Sequence, residues 1–198
     1  MSPHEAGDDA PLEQRLISAA LERLSVQSSS ELSMRRVAHD VGVSHQAPYV
    51  HFGSKKAFLA AVAGVGLRRA AEEAAARVAA AGEQPLARLH ALAAAYLTFI
   101  RTQPHVHDLA YGPVVAKRDH ALLQRSAIAY WTLVRETVAA CQPPGTSASD
   151  VQRRAAVAWG TVYGIARLAT FEQIPPTVPA GEDELVHAAL DWLYRGWQ

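Results

Sequence analysis

Apolar residues recur every three or four positions along almost the whole chain. No stretch alternates β-branched with polar residues as a half-buried strand does, so the pattern predicts an all-α fold. Leu12, Leu16, Ala19, Ala20 and Leu24 share one stripe of a first helix, which ends in the polar stretch Gln27-Ser28-Ser29-Ser30. Ser33 stands where an N-cap belongs. It opens a second helix to about residue 40 with Val37 and Ala38 inward, and Gly42 follows where the chain must turn. Ser44 is read as the cap of a third, short helix. Ser54 is read as the cap of a long one reaching about residue 81, with Phe58, Leu59, Val62 and Val65 on its apolar face. Gly82 and Pro85 separate this from a helix whose inner stripe is Leu86, Leu89, Ala93, Leu97 and Ile100, and Pro104 stops it. Further helices are expected over about 105–111, 119–141, 149–171 and 183–194. The breaks between them are Gly112-Pro113, Pro143-Pro144-Gly145 and Pro175-Pro176-Thr177-Val178-Pro179.

The 198 residues divide on this reading into a short disordered tail (1–11), a small helical head (12–58) and a larger helical body (59–198). Charge gives no direction, because 19 basic residues balance 19 acidic ones. A lone cysteine, Cys141, excludes an intramolecular disulfide, and the polar, acidic N-terminus lacks the basic and apolar regions of a signal peptide. With no uncharged apolar run of the ~18 residues a membrane span needs, the expected location is the cytoplasm.

The stretch 33–58, SMRRVAHDVGVSHQAPYVHFGSKKAF, concentrates the chemistry. Two short helices joined at a glycine turn and locked by Val37, Ala38, Val43 and Phe52 make a helix-turn-helix, which presents its second helix outward. His45, Gln46 and His51 on that side can hydrogen-bond base edges in a major groove, while Ala47 and Val50 can touch thymine methyls. Arg35, Arg36, Lys55 and Lys56 outnumber Asp40 and form a basic surface on a neutral protein. Tyr49 adds a hydroxyl for phosphate, and the start of the helix after Ser54 adds amides; Ser33 and Ser44, at the two caps, complete the DNA-facing set. Pro48 falls within the first turn of its helix, where proline removes little hydrogen bonding. His39 is expected on the surface away from the groove.

The run VAHDVGVSHQAPYVHFGSKKAFLAAVA resembles the head of the TetR family of bacterial transcription regulators over roughly residues 12–65. The resemblance implies that Tyr49 and Lys55 anchor phosphates and that His45, Gln46, Val50 and His51 lie on the recognition surface. It also implies a homodimeric regulator of double-stranded DNA, a repressor released from a palindromic operator by a small-molecule effector, with no cofactor. The helix from Ser54 would couple body to head.

In the body, AWGTVYGIARLATFE (158–172) resembles a tryptophan-glycine-containing helix of one TetR C-terminal subgroup. Ala156, Gly160 and Gly164 make a smooth strip for close helix packing, and glycines that cost roughly 1 kcal/mol each in a helix point to a packing reason. That reason is read as a twofold partner, shared by Leu185, Ala189 and Trp192 of the last helix; packing within the chain is the alternative. Tyr96, Phe99, Tyr111, Tyr130, Trp131, Trp159 and Tyr163 mix apolar faces with polar tips and are candidates for a ligand pocket. His107 joins them through the subgroup resemblance. A metal clip at His105 and His107 with His90 and His120 is disfavoured, since His-x-His lacks the spacing of a helical metal pair. The rival function is a small helical enzyme or an interaction module with a degenerate head. The chain carries no Gly-x-Ser-x-Gly, His-Glu-x-x-His or phosphate-loop motif.

Overall fold

The computed structural model describes residues 10–198; most of the expected tail lies outside the described residues. Among them are nine α-helices: α1 (Leu12–Leu24), α2 (Met34–Asp40), α3 (Ala47–Phe52), α4 (Lys55–Ala80), α5 (Pro85–Thr102), α6 (Pro104–Tyr111), α7 (Ala121–Ala140), α8 (Ala148–Thr170) and α9 (Glu182–Trp197). The chain is all-α, as the periodicity predicts. It divides into two compact units, one of residues up to 69 with 102–128, the other of 70–101 with 129–198.

In the first unit α1 buries Leu16, Ile17, Ala20, Leu21 and Leu24, and α2 and α3 pack against it. Val37 and Ala38 are fully buried, as are Phe58 and Val62 of α4. Two polar ties fix α1 to the end of α2. Arg15 donates to the Val41 carbonyl at 2.9 Å, and Arg23 grips both oxygens of Asp40 at 2.5 and 2.8 Å. The bidentate hydrogen bonds from Arg23 hold the Asp40 carboxyl below its ordinary value.

The middle of α4 holds two buried glycines that the sequence pattern does not single out. A Cβ on Gly66 would sit 2.3 Å from Cγ1 of Val106, and one on Gly64 would sit 2.9 Å from Cγ of Leu122. Glycine therefore lets α6 and the start of α7 lie directly against the α4 backbone. Ser126 reinforces the second contact by donating to the Gly64 carbonyl at 2.9 Å.

In the second unit the core is built from Leu89, Tyr96, Leu97 and Ile100 of α5, Tyr130, Val134 and Val138 of α7, Ala158, Val162 and Ala166 of α8, and Val186, Leu190 and Trp197 of α9. Helices α8 and α9 pack together. Ser147 caps α8 by accepting from the Asp150 amide at 3.1 Å, and Glu184 reaches back to the Gly181 amide at 2.9 Å to close the start of α9. Arg101 clamps that same end through Glu182 and Asp183, at 2.5 and 2.9 Å. Burial pushes the Cys141 thiol up to about 11, which leaves it a packing residue rather than a nucleophile.

Two element boundaries differ from the expectation. The third helix does not start at a Ser44 cap. It begins at Ala47, with Gln46 in the capping place and no side-chain cap bond. Pro48 is the reason. It has no N–H to return to Ser44, so the amide of Ala47 closes a tight turn on the Ser44 carbonyl, and the α pattern starts only where Val50 bonds Gln46 at 3.0 Å. The helix expected from 119 likewise begins at Ala121, after a 3-10 turn over Lys117–Asp119.

Candidate nucleic-acid interface and ligand cavity

The turn between α2 and α3 is set by Gly42, whose φ of +74° is a left-handed conformation that side chains disfavour. The Gly42 amide bonds the His39 carbonyl and the Val43 amide bonds the Ala38 carbonyl, both at 3.0 Å. This is the Schellman arrangement, and it satisfies the end of α2 while reversing the chain sharply. Ser33 caps the other end of α2, with its hydroxyl 3.5 Å from the Arg36 amide.

What this turn presents is a polar surface. His45, Gln46, Tyr49, Val50 and His51 are all exposed, Val50 to 81 %, while Ala47 is half-buried and Pro48 buried. Phe52 faces inward with its ring 4.8 Å from that of Phe58. His45 and Gln46 stand in the turn ahead of α3, where the Gln46 amide donates to the His45 ring nitrogen at 3.3 Å. An isolated Val50 that is four-fifths exposed makes no core contact of consequence, so its apolar surface is available to a partner.

The basic residues divide into two groups. Arg35, Arg36 and Lys56 are exposed, and Lys55 leans on the Ser30 carbonyl at 3.3 Å. Asp40, the one acid of the motif, has its charge taken up by Arg23. Ser54 caps α4 by accepting from the Ala57 amide at 3.1 Å. Ser44 and His39 are exposed, as the sequence reading expects for His39.

The second unit contains a cavity among α5, α7, α8 and α9. Its walls are Leu89, Leu92, Ala93, Tyr96, Tyr130, Val134, Val138, Ala158, Trp159, Val162 and Leu190. About 380 Å³ among them is unfilled by protein atoms, part of it open to solvent. Three of the eight pocket candidates, Tyr96, Tyr130 and Trp159, line it. The Tyr96 and Tyr130 rings meet edge-on with centroids 6.2 Å apart, and the Tyr130 hydroxyl is buried with no hydrogen-bond partner. Burial drives that phenol far above its ordinary pKa, so it stays protonated.

The other five lie outside this wall. Phe99 is core, Trp131 meets Trp159 at a tilt with ring centroids 5.8 Å apart, and Tyr163 is half-buried along α8. His107 and Tyr111 belong to the first unit, where their rings meet at 4.9 Å and Lys117 sits 4.2 Å over Tyr111. The aliphatic lining has no signature in sequence, because a cavity-facing Leu or Val keeps the same period as a core one.

Ala156 and Gly160 of α8 are exposed and Gly164 is half-buried. A Cβ on either glycine would meet no atom of the chain within 4 Å. Packing within the chain therefore does not account for these glycines. The same side of α8 carries exposed Val157 and Leu168, with exposed Phe171 just past its end; these continue the series at three- and four-residue steps, and the sequence reading missed them. On α9 Trp192 is 68 % exposed, with Leu185 and Ala189 half-buried.

Residues 16–62 match the family profile described as bacterial regulatory proteins, tetR family. Residues 89–193, more than half of the chain, match the C-terminal domain of tetracyclin-repressor-like proteins. No curated protein matches the chain. Among solved structures, a protein of unknown function from Rhodococcus sp. RHA1 is 30 % identical over 100 % of this chain and 99 % of its own, with a TM-score of 0.78. A TetR-family transcriptional regulator from Mesorhizobium loti MAFF303099 shares the fold at 14 % identity, 93 % and 95 % coverage and a TM-score of 0.67. A TetR variant from Acinetobacter baumannii AYE in complex with minocycline does so at 20 % identity, 94 % and 96 % coverage and a TM-score of 0.62. With both halves of the sequence matched and the whole fold shared, this chain belongs to the TetR family of bacterial transcription regulators.

Proposed function

We propose that the protein is a cytoplasmic homodimeric repressor that binds a palindromic operator and leaves it when a small molecule occupies the cavity. Residues 12–58 are the DNA-binding domain and 59–198 the ligand-binding and dimerisation domain. The observation that carries the reading is the exposed set His45, Gln46, Val50 and His51, held out by the Gly42 turn beside Arg35, Arg36 and Lys56. Polar and apolar groups with no role in the fold are the currency of base reading, and the arginines and lysines supply phosphate contacts. Among the described residues no helix is long and apolar enough to cross a membrane, which suits a regulator acting on DNA in the cytoplasm.

Tyr49 and Lys55 position the head on phosphates, Ser33 and Ser44 support them from the cap and turn, and Ala47 with Val50 reads thymine methyls. The partner surface is the strip Ala156, Gly160 and Gly164 with Leu185, Ala189 and Trp192, extended by Val157, Leu168 and Phe171. Glycines that nothing in their own chain requires, beside an exposed tryptophan, support that assignment. The minocycline complex of the A. baumannii relative supports a ligand in the same kind of fold. Of the pocket candidates, Tyr96, Tyr130 and Trp159 are retained. An effector releases the operator only if it binds the DNA-free arrangement more tightly than the DNA-bound one.

The test is selection of bound sequences from random DNA, followed by affinity measurement at several salt concentrations. A repressor of this kind enriches an inverted repeat, and its affinity falls steeply with salt. Recovery of no consensus, or an affinity indifferent to salt, would overturn the reading.

A further inference from the structure

We propose that the cavity takes a flat, uncharged, mainly apolar molecule that carries one hydrogen-bond acceptor, placed against the hydroxyl of Tyr130. The inference rests on reading this cavity as the effector site. Three observations support the chemistry. The wall contains no charged residue, and its polar groups are confined to two phenols and one indole. An ionised ligand would lose its hydration there with no counter-charge to replace it, so charge is excluded.

The aromatic lining supplies the second. Tyr96, Tyr130 and Trp159 bound the cavity, and their rings offer faces and edges against which a planar ring packs. The third is the Tyr130 hydroxyl itself. It is buried, unpartnered and locked in its protonated form, so it offers a donor that the protein does not use. A ligand carbonyl or ether oxygen completes it. A buried donor that discriminates by what it lacks is also a specificity device, since a ligand without an acceptor leaves it unpaired.

The neutral ketone dye Prodan, whose emission shifts in apolar and hydrogen-bonding surroundings, serves as the probe on the full-length protein. Three naphthalenes of equal size compete with it: acetylnaphthalene, ethylnaphthalene and, at neutral pH, naphthoate. One Prodan per chain is expected, displaced by acetylnaphthalene, with naphthoate at least about 100-fold weaker. Tyr130→Phe should weaken acetylnaphthalene roughly 2- to 10-fold and leave ethylnaphthalene unchanged, because only the ketone uses the hydroxyl. Ala158→Phe, which puts a ring into the cavity, should abolish binding of all three. If that variant does not fold, the Tyr130→Phe comparison decides alone. Absence of ketone binding, naphthoate binding as tightly as the ketone, or equal losses for both neutral ligands would overturn the proposal. A DNA arm separates it from the effector reading. If acetylnaphthalene binds as described and operator affinity does not change, the cavity chemistry stands and the effector role falls. If DNA is released by naphthoate and not by the ketone, the reverse holds.

Discussion

Replacing Gly160 and Gly164 together with leucine separates forces within one chain from forces between two. Within the chain the change is favourable at both sites. No atom lies within 4 Å of either new Cβ, so the first carbon of each side chain enters open space. Helix propensity adds up to roughly 1 kcal/mol per site, or about 1–2 kcal/mol for the pair. For a chain of this length each kcal/mol is worth about 2–4 °C in melting temperature. With the space at each Cβ open within the chain, harm is expected where a second molecule occupies the strip, and two inserted leucines on a close-packed strip cost on the order of 1–3 kcal/mol each. The assay is melting temperature against protein concentration, alongside mass in solution. A dimer gains about 2.7 kcal/mol of stability for each 100-fold rise in concentration above its dissociation constant, so the unmodified protein's melting point should climb with concentration. The variant should be monomeric, with a melting point independent of concentration, and should lose high-affinity operator binding because two linked heads are needed for a palindrome. A variant that remains dimeric with normal operator affinity would refute the assignment of this strip to the partner.

Gly66→Ala has the opposite balance, since its Cβ would fall 2.3 Å from Val106; despite better helix propensity it should destabilise by roughly 1–3 kcal/mol in urea unfolding, and a stability gain would show that α6 yields freely. Tyr49→Phe and Lys55→Ala should weaken operator and random DNA by similar factors, whereas Gln46→Ala or His45→Ala should relax preference at particular base pairs by about 1–3 kcal/mol each, read from binding-site selection. Asp40→Asn should cost at most about 1 kcal/mol at neutral pH, because the Arg23 pair is solvent-exposed at about a third of its surface. The Asp40 pKa is depressed in the folded state, so its contribution is full above the ordinary carboxylate value and lost as pH falls through the lowered one. The difference between variant and parent should therefore shrink in acid, and a difference that grows there would reverse the sign.

Helix positions were legible because burial follows period, and Leu16, Ala20, Val37, Phe58, Val62, Leu89 and Leu97 are core as their spacing predicts. Ser33 and Ser54 announced real caps. Ser44 did not, because proline's effect on the first turn depends on which amide is missing, and Pro48 removes the one that would have bonded back to Ser44. The head's exposed residues could be read locally, since a short turn fixes which side chains face out. The cavity could not. Tyr96, Phe99 and Trp131 share the same period and chemistry, and only the three-dimensional gaps between helices decide that Tyr96 bounds empty space while Phe99 does not. Gly64 and Gly66 were opaque for a related reason: their partners, Leu122 and Val106, are distant in sequence.

Helix α8 faces two ways. Ala158, Trp159 and Val162 wall the cavity, while Val157, Gly160 and Gly164 lie on the opposite, exposed side. Trp159 and Gly160 are consecutive residues, so a ligand that shifts the backbone beneath the indole also shifts the strip. If the strip is the partner surface, as proposed, small-molecule binding and self-association would then be linked equilibria, and linkage is reciprocal. Whatever factor the ligand exerts on the dimerisation constant, dimerisation must exert on ligand affinity. The ligand's apparent dissociation constant is then a function of chain concentration, different below and above the point where half the chains are paired. The cell's abundance of the regulator would thereby set its sensitivity to the ligand as well as its occupancy of DNA.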